Sequence, residues 1–173
     1  MALVVLLRGV NVGGHRVFRP AALAKRLRHL DAVNIGAAGT FVIRRPVTRA
    51  KLHAELVSKL PPNTEIIVCD GREILRLMSA GHFANQPERK DIVRFVTVLA
   101  RRPRSTPSIP ATFPPGGMWL VKVLAQDRLF VVGMYRRHMK TISHLGKIDR
   151  LFDVPVTTRN WNTMTTIAKV LGQ

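Results

Sequence analysis

The chain is poor in acids, in cysteine and in large aromatics, and each shortage removes a class of function. Its ten Asp and Glu are scattered singly, so no pair stands out as a carboxylate dyad for acid–base hydrolysis. The lone cysteine, Cys69, excludes an internal disulfide framework and a cysteine-built zinc site, and its apolar surroundings read as a buried, inert thiol. One Tyr and two Trp do not supply the aromatic sheet of an RNA-recognition domain, which disfavours RNA stacked on an open sheet. The longest uninterrupted apolar run, residues 2–7, is far short of the roughly 20 residues of a membrane-spanning helix. It also lacks the basic leader and small-residue cleavage site of a secretory signal. His15, His29, His53, His82, His138 and His144 show no H-x-x-x-H or H-E-x-x-H spacing, and no G-x-S-x-G nucleophile motif occurs. The expectation is a soluble cytoplasmic protein with no metal, no cofactor and no membrane partner; the sequence implies no oligomeric state.

What the chain has in quantity is positive charge: 28 Lys and Arg give a formal net charge of +18. Residues 1–86 hold 13 basic and 5 acidic residues, and residues 87–173 hold 15 and 5. Because neither half owns the excess, it is not a detachable basic tail. It implies positive surfaces that attract polyanions by steering and counterion release. With 46% hydrophobic residues the chain also has the material for a core, and disorder is excluded.

The periodicity gives strand, helix, strand, strand, helix, strand for the first half. Residues 2–7 (ALVVLL) read as a strand buried on both faces. Pro20 opens a helix with Leu23, Leu27 and Leu30 on one face and Lys25, Arg26, Arg28 and His29 mostly on the other. Residues 33–44 form a hairpin turning near Ala38, Gly39 and Thr40. Thr48 caps a helix carrying Leu52, Leu56 and Leu60, and residues 64–69 are the next strand. A short helix over residues 70–80 and a polar joint at 82–91 follow.

The second half repeats the order, with strands at 92–100, 118–125 and 128–135, the last two joined by a tight turn at Gln126 and Asp127. A helix over 141–152 with Ile142, Leu145, Ile148 and Phe152 inward, a strand at 154–158 and a terminal helix from Asn160 complete it. Prolines 103, 107, 110, 114 and 115 make residues 101–117 an extended loop where the first crossover helix would stand. The fold class is therefore α+β: two ferredoxin-like (βαββαβ) subdomains packed together, at residues 1–80 and 81–173, with antiparallel-rich mixed sheets.

Two polar motifs stand at the starts of helices. Residues 8–15 (RGVNVGGH) follow the first strand, where a flexible loop can aim backbone N–H groups at an anion; Arg8, Asn11, Gly13, Gly14 and His15 are its candidates. Its glycine spacing is neither that of a Rossmann fingerprint nor that of a P-loop, and a wide turn with positive φ explains it equally well. Residues 157–163 (TTRNWNT) end a strand and begin the last helix. Asn160 reads as the N-cap and Trp161 as core, which leaves Arg159, Asn162 and Thr163 without a structural task; with Asn160 they are the ligand candidates beside a helix N-terminus. A secondary basic patch, Arg136, Arg137, His138 and Lys140, sits at a strand-to-helix junction.

The runs LLRGVNVGG at residues 6–14 and TRNWNT at 158–163 resemble the two hallmarks, LLRGINVGG and TRNWNT, of the bacterial family known as domain of unknown function 1697. The resemblance extends over essentially the whole chain and implies a pair of ferredoxin-like subdomains. It carries no established activity. The chain departs from the family's Ser-Gly-Asn hairpin, having Ala38, Gly39 and Thr40 there, and from its helix at the Pro-rich loop.

Three readings of function follow. The first is a nucleic-acid or other polyanion-binding protein, favoured by the charge and by the Arg101-Arg102-Pro103-Arg104 run. The second is a site for a small anionic, nucleotide-like ligand, or an enzyme, with the residues of both motifs converging and His15 as its one acid–base group. The third is an interaction module without a pocket.

Overall fold

Residues 1–10 and 18–173 are described by the computed structural model. The opening apolar run forms β1 (Leu3–Arg8), in which Leu3, Val5 and Leu7 point to one face and Val4 and Leu6 to the other. All five are at most 6% exposed, so both faces of the strand are out of solvent, as its unbroken apolar pattern requires. There follow α1 (Pro20–Arg26), β2 (Ala32–Asn34), β3 (Thr40–Ile43), α2 (Arg49–Val57), β4 (Glu65–Asp70) and α3 (Gly71–Ser79). β1 is antiparallel to both β3 and β4, and β2 is antiparallel to β3, giving the order β2-β3-β1-β4. Each strand–helix–strand crossover thus skips one strand, an arrangement consistent with the split βαβ of a ferredoxin-like plait.

Local chemistry sets the ends of these elements. Pro20 occupies the first helical turn, where a missing N–H leaves no bond unmade. Thr48 caps α2 as its sequence position predicts, Oγ1 accepting from Lys51 N at 3.3 Å. Leu23, Leu27, Leu52 and Leu56 bury against Val5, Leu7 and Phe41 in one core.

The second sheet is built from β5 (Ile92–Leu99), β6 (Ala111–Phe113), β7 (Val121–Asp127), β8 (Phe130–Arg136) and β9 (Val156–Asn160), in the order β6-β7-β8-β5-β9 with every pairing antiparallel. Without β6, this order repeats that of the first sheet. β6 lies in the Pro-rich segment, which forms no helix and adds a short edge strand. α4 (Thr141–Leu145) and α5 (Lys147–Phe152) precede β9, and α6 (Trp161–Leu171) follows it. Phe95, Val121, Val131, Ile148 and Phe152 form the core here. The protein is α+β with a four-stranded and a five-stranded antiparallel sheet.

Several local expectations are corrected. The tight turn lies at Arg128 and Leu129, two residues beyond the expected Gln126 and Asp127, because Asp127 pairs with Phe130. Arg128 takes the left-handed φ of 55° that the turn demands, a place where a sequence reading looks for Gly or Asn. The helix expected over 141–152 breaks at Gly146 into two, and Ile142 is 80% exposed rather than inward, because the break ends the periodicity that aligned it with Ile148. The chain divides into two units, Met1–Met78 with Thr163–Gln173, and Ser79–Asn162. The expected second subdomain takes in all of 81–173, whereas residues from Thr163 group with the first unit. Leu171 there packs so tightly on Gly71 that an added Cβ would stand 2.7 Å from Leu171 Cδ2.

Candidate functional site

In the second unit β5 is flanked by β8 on one side and β9 on the other, both antiparallel to it. The start of β5 and the ends of β8 and β9 therefore meet at one edge of the sheet. Register makes this concrete: Ile92 pairs with Arg136, and Phe95 pairs with Asn160. Arg137 N donates to Asp91 O at 2.8 Å, extending the ladder one step further. A cleft of about 250 Å³ opens at this edge, lined by Arg89, Arg94, Arg137, Asn160, Trp161 and Asn162. Glu88 is the one acid in its wall, so three guanidiniums face one carboxylate.

The guanidiniums differ in how they are held. Arg89 makes a two-point contact with Asp91, Nε to Oδ1 at 2.8 Å and NH2 to Oδ2 at 3.3 Å. Asp91 Oδ2 also accepts from Arg136 NH1 at 3.2 Å. The hydrogen bond from Arg89, and beyond it the charges of Arg89 and Arg136, hold the Asp91 carboxyl below the usual carboxylate range. Arg94 lies over the Phe83 ring, 5.1 Å from its centroid, and reaches Glu88 Oε1 only at 3.9 Å. Phe83 in turn meets Trp161 edge to face at 4.8 Å and 78°. Arg137 is exposed, and among the described residues its guanidinium has no ion pair.

The sequence candidates separate into groups. Asn160 and Asn162 line the cleft, with Arg137 from the secondary basic patch. Asn160, read as the cap, immediately precedes α6, and Thr163 is half-buried in that helix's first turn. Arg159 is 7% exposed and does not line the cleft. Its NH1 donates to Thr157 Oγ1 at 2.7 Å and to Thr158 O at 3.0 Å. Burial pushes its pKa down to about 10. Of the remaining patch, Arg136 is half-buried, with Nε donating to Trp119 O at 3.1 Å and its plane 4.4 Å from the Trp119 ring. His138 Nδ1 accepts from Lys140 N at 3.2 Å, and both side chains are exposed.

In the first unit Arg8 is exposed at the end of β1, paired in register with Glu65 and 3.7 Å from its carboxylate. Gly9 takes φ of 79°, a left-handed conformation that favours glycine. Asn11, Gly13, Gly14 and His15 lie outside the described residues. A depression of about 410 Å³ in this unit runs along Phe18, Arg26 and Lys59 and holds none of the predicted residues. Among the described residues no three His, Cys, Asp or Glu side chains gather as a metal ion would need.

Sequence reasoning missed Arg89, Arg94 and Phe83, which lay in or beside the polar joint at 82–91. The available signal was Arg89-Lys90-Asp91, an Arg and an Asp two residues apart, which pair here across a turn closed by Ile92 N donating to Arg89 O at 3.1 Å.

A family model described as "Protein of unknown function (DUF1697)" matches residues 1–111. The match covers well over half of the chain but stops inside the Pro-rich segment, so the TRNWNT run lies beyond it. No curated protein and no solved structure matches the chain.

Proposed function

We propose a polyanion-binding function, with nucleic acid as the partner, for this chain, which belongs to the DUF1697 family. The observation that carries this reading is where the charges stand. Asp31, Glu55, Glu65, Asp70, Glu73, Glu88 and Asp91 each lie within ion-pair distance of an Arg or Lys. Meanwhile Arg19, Lys25, Arg26 and Arg28 in the first unit, and Arg101, Arg102, Arg104, Arg137 and Lys140 in the second, are exposed. Phosphates reaching such surfaces displace condensed counterions, and this supplies affinity with little base specificity.

The test is a salt titration of oligonucleotide binding with nucleic-acid-free protein. For about five phosphate contacts on a single strand, affinity falls roughly a hundredfold between 50 and 200 mM salt. Failure to bind any DNA or RNA at low salt rejects the reading. A small anionic ligand is the second reading, favoured by the gathering of three arginines and two asparagines around one cleft. Saturable binding of a free mononucleotide, without any of an oligonucleotide, selects it.

A further inference from the structure

We infer that the cleft at the start of β5 holds one unstacked nucleotide, so that the protein prefers single-stranded nucleic acid to duplex. This rests on the polyanion reading and adds to it a place and a selectivity. The wall combines two kinds of group that a single nucleotide uses separately. Trp161 lines the cleft, and base–aromatic stacking is tolerant of sequence because every base has a π-face. The indole is already positioned by its near-perpendicular contact with Phe83, whose ring is in turn covered by Arg94, so little side-chain freedom remains to be lost on binding.

The phosphate side is equally legible. Arg137 is exposed and, among the described residues, carries no ion pair. Besides its place over the Phe83 ring, Arg94 reaches the Glu88 carboxylate at 3.9 Å, and the Glu88 side chain is 90% exposed, so a phosphate oxygen replaces that contact readily. Arg89 is held by Asp91 and supplies charge at the rim. Asn160 and Asn162 add polar side chains to the same wall. A cleft of about 250 Å³ admits one splayed nucleotide. In a duplex the base faces are stacked away, so duplex contacts only the outer cations.

The experiment is fluorescence anisotropy at low salt with a labelled 12-mer, single-stranded and as duplex, on wild type, Trp161→Leu, Trp161→Phe and Arg137→Ala. The wild type is expected to bind the single strand about tenfold more tightly than the duplex. Trp161→Leu removes that advantage and leaves duplex affinity unchanged, and Trp161→Phe retains most of it. Arg137→Ala, at an exposed position, weakens the single strand more than the duplex and serves if Trp161→Leu does not fold. In Trp119→Phe protein, where Trp161 is the remaining indole, uridine monophosphate quenches fluorescence and competes with the 12-mer. Equal affinity for the two forms, or equal weakening of both by every variant, overturns the inference while the polyanion reading stands. Absence of binding to either form rejects both.

Discussion

Replacing Gly133 with alanine perturbs the ladder that sets the cleft. Gly133 pairs with Phe95 between β8 and β5, the same pairing that places Ile92 opposite Arg136. A Cβ there would stand 2.6 Å from Lys122 O and 2.9 Å from Phe95 Cε1, and nearer still to Phe95 Cζ. Carbon contacts are optimal near 3.5–4.0 Å, so the new methyl is inside the repulsive wall of both neighbours. Neither yields easily, since Phe95 is fully buried and Lys122 O is backbone of a paired strand. The penalty belongs at the top of the range for overpacked cores, about 3 kcal/mol. Phe95→Ala alone costs about 3–5 kcal/mol through lost burial and a cavity. In the double variant the methyl enters that cavity and only the Lys122 clash survives, so the loss is about 2 kcal/mol less than the sum of the singles. Urea unfolding followed by tryptophan fluorescence reports on this unit, because Trp119 and Trp161 both lie in Ser79–Asn162. With m near 2 kcal/mol/M, Gly133→Ala moves the midpoint down by about 1.5 M. Strict additivity of the two substitutions, or a penalty under about 1 kcal/mol for Gly133→Ala, refutes the packing argument.

Other consequences are open to the same kind of measurement. A pKa near 10 for buried Arg159 means that keeping it charged works against folding by about 3 kcal/mol, so Arg159→Met is expected near or above wild-type stability and Arg159→Ala about 2–4 kcal/mol below. Equal damage by both in urea melts would show that the guanidinium's hydrogen bonds outweigh its desolvation. Cys69 is 3% exposed, and burial, with the Glu73 charge behind it, pushes its thiol up to about 12. A disulfide reagent at pH 8 should therefore label it only after unfolding; rapid labelling of native protein contradicts the burial. Hydrogen bonds from Arg44, Arg72 and Arg89 lower the carboxyls of Asp31, Asp70 and Asp91. Their folded values lie below the unfolded ones, so their stabilisation is complete above the unfolded value, about 4, and is lost as pH falls through the folded values. Thermal melts should hold steady from pH 7 to 5 and drop below 4; a profile flat to pH 2 removes these ion pairs from the account.

The elements whose evidence is local were legible in the sequence. β1 followed from an unbroken apolar run, α2 from Thr48 and the Leu52–Leu56 spacing, and the Pro-rich segment from proline's missing donor. The failures share a cause, which is that the deciding interaction is distant in sequence. The β7–β8 turn moved because the pairing of Asp127 with Phe130 is set by the whole ladder, including an irregularity between Val123 and Ala125. Leu171 joined the first unit through a close fit to Gly71 that no periodicity encodes. In the candidate site, Asn160 was visible as the residue that opens the last helix, Asn162 as a polar residue without a structural task, and Arg137 as part of a basic run. Arg89, Arg94 and Phe83 were not visible, because their meeting with Trp161 depends on β5 lying between β8 and β9.

The shortage of acids acquires a different meaning from where the acids stand. Ten carboxylates cannot neutralise 28 cations, and charge-balancing carboxylates could sit anywhere near them. Asp91 instead takes Arg89 and Arg136 on one carboxyl, and its backbone oxygen takes Arg137 N, so one residue ties together two side chains and a backbone step beside the cleft. Arg44 is likewise bound at two points by Asp31, and Arg72 by Asp70. A guanidinium fixed at two points keeps its full charge, loses conformational freedom before any ligand arrives, and so presents a directed donor rather than a diffuse field. The acids of this chain therefore act less as counterweights to its charge than as the means by which part of that charge is aimed.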